Sequence, residues 1–203
     1  MPRHPSVVAL FLLTCVGQAV ADTEMAPFAP VLGFAPHSIV FDDVRGKSET
    51  WAKELPCGAN RASLTVKFDK AYHSDKWAPV AKVRLTSLKH NEVADEKSPS
   101  LAAVIKAPTD AYKLNAWVWI EKVLDADSGG QGYAPADLNA PMQIDLAWTP
   151  NGDVTVNFAG EYEKQMSMGK PVAGIEVAVS WAKFEFVDLK VGHAGPPNPA
   201  CAS

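Results

Sequence analysis

Apolar and polar residues alternate along much of the chain. The alternation is clearest at 64–68, 81–86, 143–148, 154–158 and 175–180, where every second residue is apolar. Side chains at this spacing lie on one face of a β-strand. The segment 114–120 is different, because it carries apolar residues at both parities and therefore predicts a strand in the middle of a sheet. The pattern predicts an all-β, antiparallel domain, either a sandwich or a barrel.

One connection between these strands is specific. Pro150-Asn151-Gly152-Asp153 separates two alternating runs, and Asn-Gly in this position is a strong hairpin signal. We therefore predict an antiparallel hairpin over residues 142–159, with a turn that needs positive φ at both Asn151 and Gly152.

Three other segments give less uniform predictions. In 183–191 the apolar face changes between Phe186 and Val187, which indicates a β-bulge. Residues 100–107 fit either a short helix or a buried strand, because Pro99 and Pro108 bracket them closely. The segment 125–139 is rich in glycine and polar residues and predicts a long loop.

The first 21 residues resemble a signal peptide. Arg3 is followed by ten largely apolar residues, Val7 to Val16, and by the small-x-small triplet Ala19-Val20-Ala21. This apolar run fits the range of about 7–15 residues for signal peptides and is shorter than a membrane span. A buried N-terminal helix is the plain alternative. A lipoprotein acylated at Cys15 is another, although Thr14 stands where a smaller residue is usual.

We predict four regions: a signal peptide at 1–21, an irregular segment at 22–36, a β-sandwich domain at 37–193 and a proline-rich tail at 194–203. Removal of 1–21 takes away Arg3 and no acidic residue, so the net charge moves from −4 to −5. This mild acidity, without a basic cluster, argues against a nucleic-acid partner. The mature chain is predicted to be exported, to the periplasm or beyond, and not to span a membrane. Its oligomeric state is left open.

Cys57 and Cys201 are the two cysteines that remain after cleavage. An oxidising compartment favours pairing them, and the bridge would fasten the tail to the domain. Two free thiols are the alternative.

The pattern from residue 141 to 192 resembles concanavalin A-like jelly rolls, the lectin, laminin-G and glucanase sandwiches. The resemblance rests on Ile144 to Trp148, the Asn151-Gly152 turn, Val154 to Phe158 with Gly160, Ile175 to Val179, and Phe184 to Val191. Ile39 to Val44 is similar to the edge strand that partners the last of these. The resemblance implies a two-sheet β-sandwich of the jelly-roll type and a carbohydrate ligand.

The chain departs from the glucanases of this fold in its acidic residues. Those enzymes resemble one another in carrying Glu-x-Asp-x-x-Glu on one strand, and here only Asp145 stands in such a place. Asp42 and Asp43 are adjacent and would point to opposite faces. Asp125 and Asp127 could bind Ca²⁺ in a loop, with plain solvation as the alternative. The histidines have no ligand spacing, so no cofactor and no metal site is predicted.

The candidate ligand-binding residues are Trp117, Trp119 and Asp145. The two tryptophans lie two apart and so share a face, where they would stack on a sugar or instead fill the core. Trp51 and Trp77 are candidates for the rim. The function predicted from these observations is non-catalytic binding of an extracellular ligand, most simply a carbohydrate. The alternatives are a glycan hydrolase or lyase using Asp145 with Glu176, and an envelope protein-interaction module.

Overall fold

The computed structural model describes residues 28–44, 48–72, 78–87, 100–106, 116–124 and 127–195; from 116 to 134 it describes the backbone alone. These residues form thirteen β-strands and no helix. The strands are β1 Ala29–Pro30, β2 Ser38–Asp42, β3 Glu49–Glu54, β4 Arg61–Ala71, β5 Val80–Thr86, β6 Ser100–Lys106, β7 Ala116–Leu124, β8 Asp127–Ala136, β9 Met142–Trp148, β10 Asp153–Phe158, β11 Tyr162–Ser167, β12 Gly174–Ser180 and β13 Ala182–His193.

Two antiparallel sheets make up the fold. The seven-stranded sheet has the order β1-β13-β4-β9-β10-β11, with β2 also paired to β13, and the six-stranded sheet has the order β3-β12-β5-β6-β7-β8. The chain crosses from one sheet to the other repeatedly, as in β2 to β3, β4 to β5 and β12 to β13. The predicted all-β sandwich is confirmed, and β2 is the predicted edge strand beside β13.

The hydrophobic core lies between the sheets because the apolar residues of each alternating strand face inward. Fully buried side chains come from both layers: Leu64, Ile144, Leu146, Phe184 and Phe186 from the larger sheet, and Val83, Leu85, Leu101, Ile105 and Ile175 from the smaller. The polar residues between them therefore form the two outward faces of the sandwich.

The predicted hairpin is confirmed as β9 and β10, which pair from Trp148–Val154 to Ile144–Phe158. The predicted turn type was wrong. Gly152 has φ +83°, but Asn151 is not among the residues with positive φ. Pro150 fixes its own φ near −65°, and Gly152 N–H donates to Thr149 O at 3.0 Å, so only the glycine takes the left-handed conformation.

Segment 125–139 was wrongly predicted to be a loop, since residues 127–136 form β8 at the edge of the six-stranded sheet and pair with β7. An edge strand tolerates the glycines and Pro135 that would weaken a central strand. The strand alternative for 100–107 is confirmed by β6. The predicted bulge in β13 is present between Val187 and Lys190, where Asp188 has φ +54°.

Glu185, on the outward face of the seven-stranded sheet, is expected to make the stability of the fold depend on pH. Ser38 Oγ and Lys67 Nζ donate to Glu185 at 2.7 and 3.3 Å, and these bonds hold the pKa of Glu185 below its usual value. A carboxyl group with a lowered pKa stabilises the fold above its ordinary pKa, and that contribution disappears as the pH falls through the lowered value. We therefore expect Glu185→Gln to reduce the loss of stability between about pH 6 and about pH 3, measured by urea unfolding. If Glu185→Gln lost as much stability on acidification as the unmodified protein, the hydrogen bonds to Glu185 would not contribute to the stability.

Candidate functional site

The outward residues of the six-stranded sheet form the candidate site, which we call the six-strand face. In β5 and β12, Val83, Leu85, Ile175 and Val177 point into the core, so the residues between them point outward. The described members of the six-strand face are Thr50, Ala52 and Glu54 of β3, Glu176, Ala178 and Ser180 of β12, Val80, Lys82, Arg84 and Thr86 of β5, and Ser100, Ala102, Val104 and Lys106 of β6.

An ion pair stands in the middle of this face. Arg84 and Glu176 are direct cross-strand neighbours, and Arg84 Nη1 lies 3.1 Å from Glu176 Oε1. Their side chains are 32% and 22% exposed, so both are reached by solvent. The register places Ala102 next to Arg84 and Ala52 next to Glu176. Ala52 is small and partly exposed, so the pair has free space on the β3 side, whereas Ala102 is only 2% exposed.

One side of the six-strand face is covered. Ser100, Ala102 and Val104 point away from the core, yet they are only 7%, 2% and 0% exposed. By contrast, Arg84 and Glu176 keep part of their surface in contact with solvent. The accessible part of the six-strand face therefore lies over β3, β5 and β12, apart from Ala178, which is 7% exposed, and β6 forms its closed side.

The two predicted tryptophans lie in the same sheet as this ion pair. β7 is next to β6, and its ladder pairs Trp119 with Val104 and Trp117 with Lys106. The backbone of both tryptophans therefore lies beside β6. Their side chains lie outside the described residues, and their role in ligand binding stays a prediction.

Asp145 lies elsewhere. It sits in β9 between the core residues Ile144 and Leu146, so its side chain is on the outward face of the seven-stranded sheet. There Gln143 Nε2 donates to Asp145 Oδ1 at 3.1 Å. The whole core separates Asp145 from the six-strand face, and the three predicted residues do not form one site.

The same separation overturns the predicted acid pair. Glu176 points outward from the six-stranded sheet and Asp145 outward from the other, with Ile175 and Ile144 between them in the core. Two carboxyl groups that share a glycosidic bond must face one cleft. Asp145 and Glu176 cannot act together in this fold.

The remaining predicted residues are the rim tryptophans and the two aspartates of the possible Ca²⁺ site. Trp51 is partly buried on the edge strand β3, and its ring packs edge-on against Phe34 with ring centroids 6.1 Å apart. Trp77 and Asp125 lie outside the described residues, as does the side chain of Asp127. Among the described side chains, no group of three or more His, Cys, Asp or Glu residues is arranged to hold a metal ion.

The predicted disulfide concerns the turn between β3 and β4. Cys57 is disulfide-bonded, while Cys201 lies outside the described residues, so the pairing of these two stays a prediction. The start of the tail lies beside this turn, since Asn60 Oδ1 accepts a hydrogen bond from Ala194 N–H at 2.8 Å.

Sequence reasoning did not single out Arg84 as a site residue. The alternation in 81–86 marks Lys82 and Arg84 as outward residues, which is a signal of exposure. Their functional context appears only when β12 is known to lie beside β5, because Arg84 and Glu176 are 92 positions apart.

No family model and no curated protein matches the chain. Solved structures do share its fold. A scytalido-glutamic peptidase, crystallised with a transition-state analogue inhibitor, is 13% identical with a TM-score of 0.54, over 76% of this chain and 84% of that one. A legume lectin-like domain from Entamoeba histolytica is 11% identical with a TM-score of 0.51, over 74% and 80%.

The carbohydrate recognition domain of Emp46p, in a potassium-bound form, is 14% identical with a TM-score of 0.50, over 79% of this chain and 90% of that one. These similarities confirm the predicted jelly-roll fold, which this chain shares with lectin-like domains. Of the described residues, none belongs to a helix long and apolar enough to cross a membrane.

Proposed function

We propose that this chain is an exported, non-catalytic β-sandwich that binds carbohydrate on its six-strand face, in the periplasm or outside the cell. The N-terminal pattern of residues 1–21 supports export. The observation that carries the binding proposal is the partly exposed Arg84–Glu176 pair, which is open to solvent on the side of Ala52.

This arrangement suits sugar hydroxyl groups. Each hydroxyl both donates and accepts hydrogen bonds, and the pair offers guanidinium donors beside carboxylate acceptors. Ala52, which is partly exposed on the edge strand β3, leaves room for a ring to approach the backbone beside Glu176, and an apolar sugar face can rest on it. The lectin-like fold of the structural neighbours supports the same ligand class as an analogy.

The first test is binding by the mature protein to a panel of neutral and uronic acid-containing polysaccharides. We expect saturable binding to at least one of them, measured by titration calorimetry. Glu176→Gln should then weaken binding at least about tenfold, because a hydrogen bond to a charged acceptor contributes roughly 1.5–3 kcal/mol.

Two variants on the opposite face complete the experiment. Thr155→Ala, on the outward side of β10, is the control and should bind as the unmodified protein does. Asp145→Asn tests the other predicted residue. A loss of binding in Asp145→Asn, with Glu176→Gln unaffected, would move the site to the seven-stranded sheet. Absence of binding to every polysaccharide would refute the proposed function.

A further inference from the structure

β11 is a free edge of the seven-stranded sheet. It pairs with β10 on one side, and none of the described strands pairs with its other side. The unpaired N–H and C=O groups on that side are a template for an extended strand of another chain. A second copy of this chain presents the same groups, and two such edges can pair antiparallel about a two-fold axis. The side chains of β11 therefore decide whether copies of the chain associate here.

Lys164 lies on the core side of β11. Its ladder partner is Val156, which is completely buried in the core. Tyr162 and Met166, two residues before and two residues after Lys164, share this side and pack against the core. Lys164 is itself half-buried, whereas its neighbour Gln165 is exposed on the outward side. The inward side of this edge strand is therefore apolar except for one positive charge in its middle.

Contacts within the fold do not explain a lysine at this position. Lys53 provides a comparison, because it also lies on the core side of an edge strand, β3, beside the core residue Ile175. The amine of Lys53 has a partner, since Nζ donates to Phe34 O at 2.6 Å and lies 4.9 Å from the centre of the Phe34 ring. Of the described residues, none forms a hydrogen bond or an ion pair with the amine of Lys164. An apolar residue would suit the inward side of β11 better than this lysine does.

We propose that the free edge of β11 is a self-association surface for a second copy of this chain, and that Lys164 keeps this surface closed. In an antiparallel pair of two β11 strands, the core-side residues of one strand lie beside the core-side residues of the other. The two Lys164 amines would then come close together and lose contact with water, and both effects oppose pairing. The inference is independent of the proposed function, because it involves neither the six-strand face nor a ligand.

The test replaces Lys164 by uncharged residues. We expect Lys164→Val and Lys164→Met to associate as the protein concentration rises, with an apparent mass at least about twofold that of the unmodified protein in sedimentation experiments, because two-fold pairing gives a dimer. The matched control is Gln165→Val, which adds the same valine to the outward side of β11 and keeps Lys164. It should sediment as the unmodified protein does. Cooperative urea unfolding shows that each variant is folded.

Amide hydrogen exchange locates the contact between the copies. In the associated Lys164 variants, the β11 N–H groups that do not pair with β10 should exchange more slowly than in the unmodified protein. Lys164 variants that sediment as the unmodified protein does, equal association of Gln165→Val, or slower exchange only outside β11 would each overturn the inference. Association of the unmodified protein through β11 would also overturn it. Unfolding of both Lys164 variants would do the same, because Lys164 would then be required by the fold itself.

Discussion

Phe186→Ala is expected to lower the free energy of unfolding by about 4 kcal/mol, within the usual range for removing a buried aromatic ring. Phe186 is completely buried in the middle of β13, where its ladder partners are Val66 of β4 and Ile39 of β2. Its ring also meets Phe41 edge-on, with centroids 5.8 Å apart. The cavity left by alanine would be bordered by three strands, so it could not close without disturbing all of them.

The matched control is Val40→Ala on the same ladder. Val40 follows Ile39 in β2 but points outward and is 56% exposed, so its truncation should change stability by about 0.5 kcal/mol or less. Urea unfolding followed by circular dichroism measures both variants. Similar losses in the two variants would mean that the assignment of inward and outward residues along β2 and β13 is wrong.

Gly152→Ala is expected to lower the free energy of unfolding by about 2–5 kcal/mol. Gly152 has φ +83°, where a side chain adds roughly 1–2 kcal/mol of strain. A Cβ there would also lie 1.8 Å from Lys170 O, so the backbone at 168–170 would have to move. Met168 N–H donates a hydrogen bond to Gly152 O, and the same movement of the backbone would break this hydrogen bond to the β9–β10 turn. The measurement is the midpoint of thermal or urea unfolding.

Gly160→Ala separates the strain of a positive φ from the clash with Lys170 O. Gly160 has a similar φ of +75°, but a Cβ at this position meets nothing within 4 Å. Its replacement should therefore cost only the conformational strain, about 1 kcal/mol. Equal losses for Gly152→Ala and Gly160→Ala would show that the close approach of Lys170 to the β9–β10 turn is not present in solution.

The sequence predicted the strands whose two faces differ in polarity. Val83 and Val177 alternate with charged residues, and such a pattern has only one orientation that buries the apolar side. The hairpin at 142–159 was predictable for a similar reason, because Gly152 between two alternating runs leaves few other connections. Its detailed turn depended on Pro150, whose fixed φ excludes the turn that Asn-Gly alone would suggest.

The sequence did not predict β8 because this strand lacks a hydrophobic pattern. Residues 127–136 pair with β7 through backbone hydrogen bonds, and backbone groups leave no trace in residue type. Glycines at 129, 130 and 132 weaken a strand by themselves, so a local argument gives a loop. The strand exists because β7 offers an edge for it to pair with.

The sequence could not predict the candidate site, because the site depends on the order of the strands in the sheet. Arg84 and Glu176 meet only because β12 inserts between β3 and β5, an order that alternation does not determine. The same sheet order places Asp145 on the far side of the sandwich from β7, although both were plausible ligand contacts along the chain. Pairing between strands, which is a non-local property, decides which outward residues share a face.

NMR mapping of the bound glycan shows which outward face of the sandwich carries the binding site. Amide signals of the unmodified protein are recorded with increasing amounts of the polysaccharide fragment that binds. We expect the shifted signals to belong to the accessible strands of the six-strand face, around Ala52, Lys82, Arg84 and Glu176. Shifts confined to β4, β9 and β10, on the opposite outward face, would contradict this expectation.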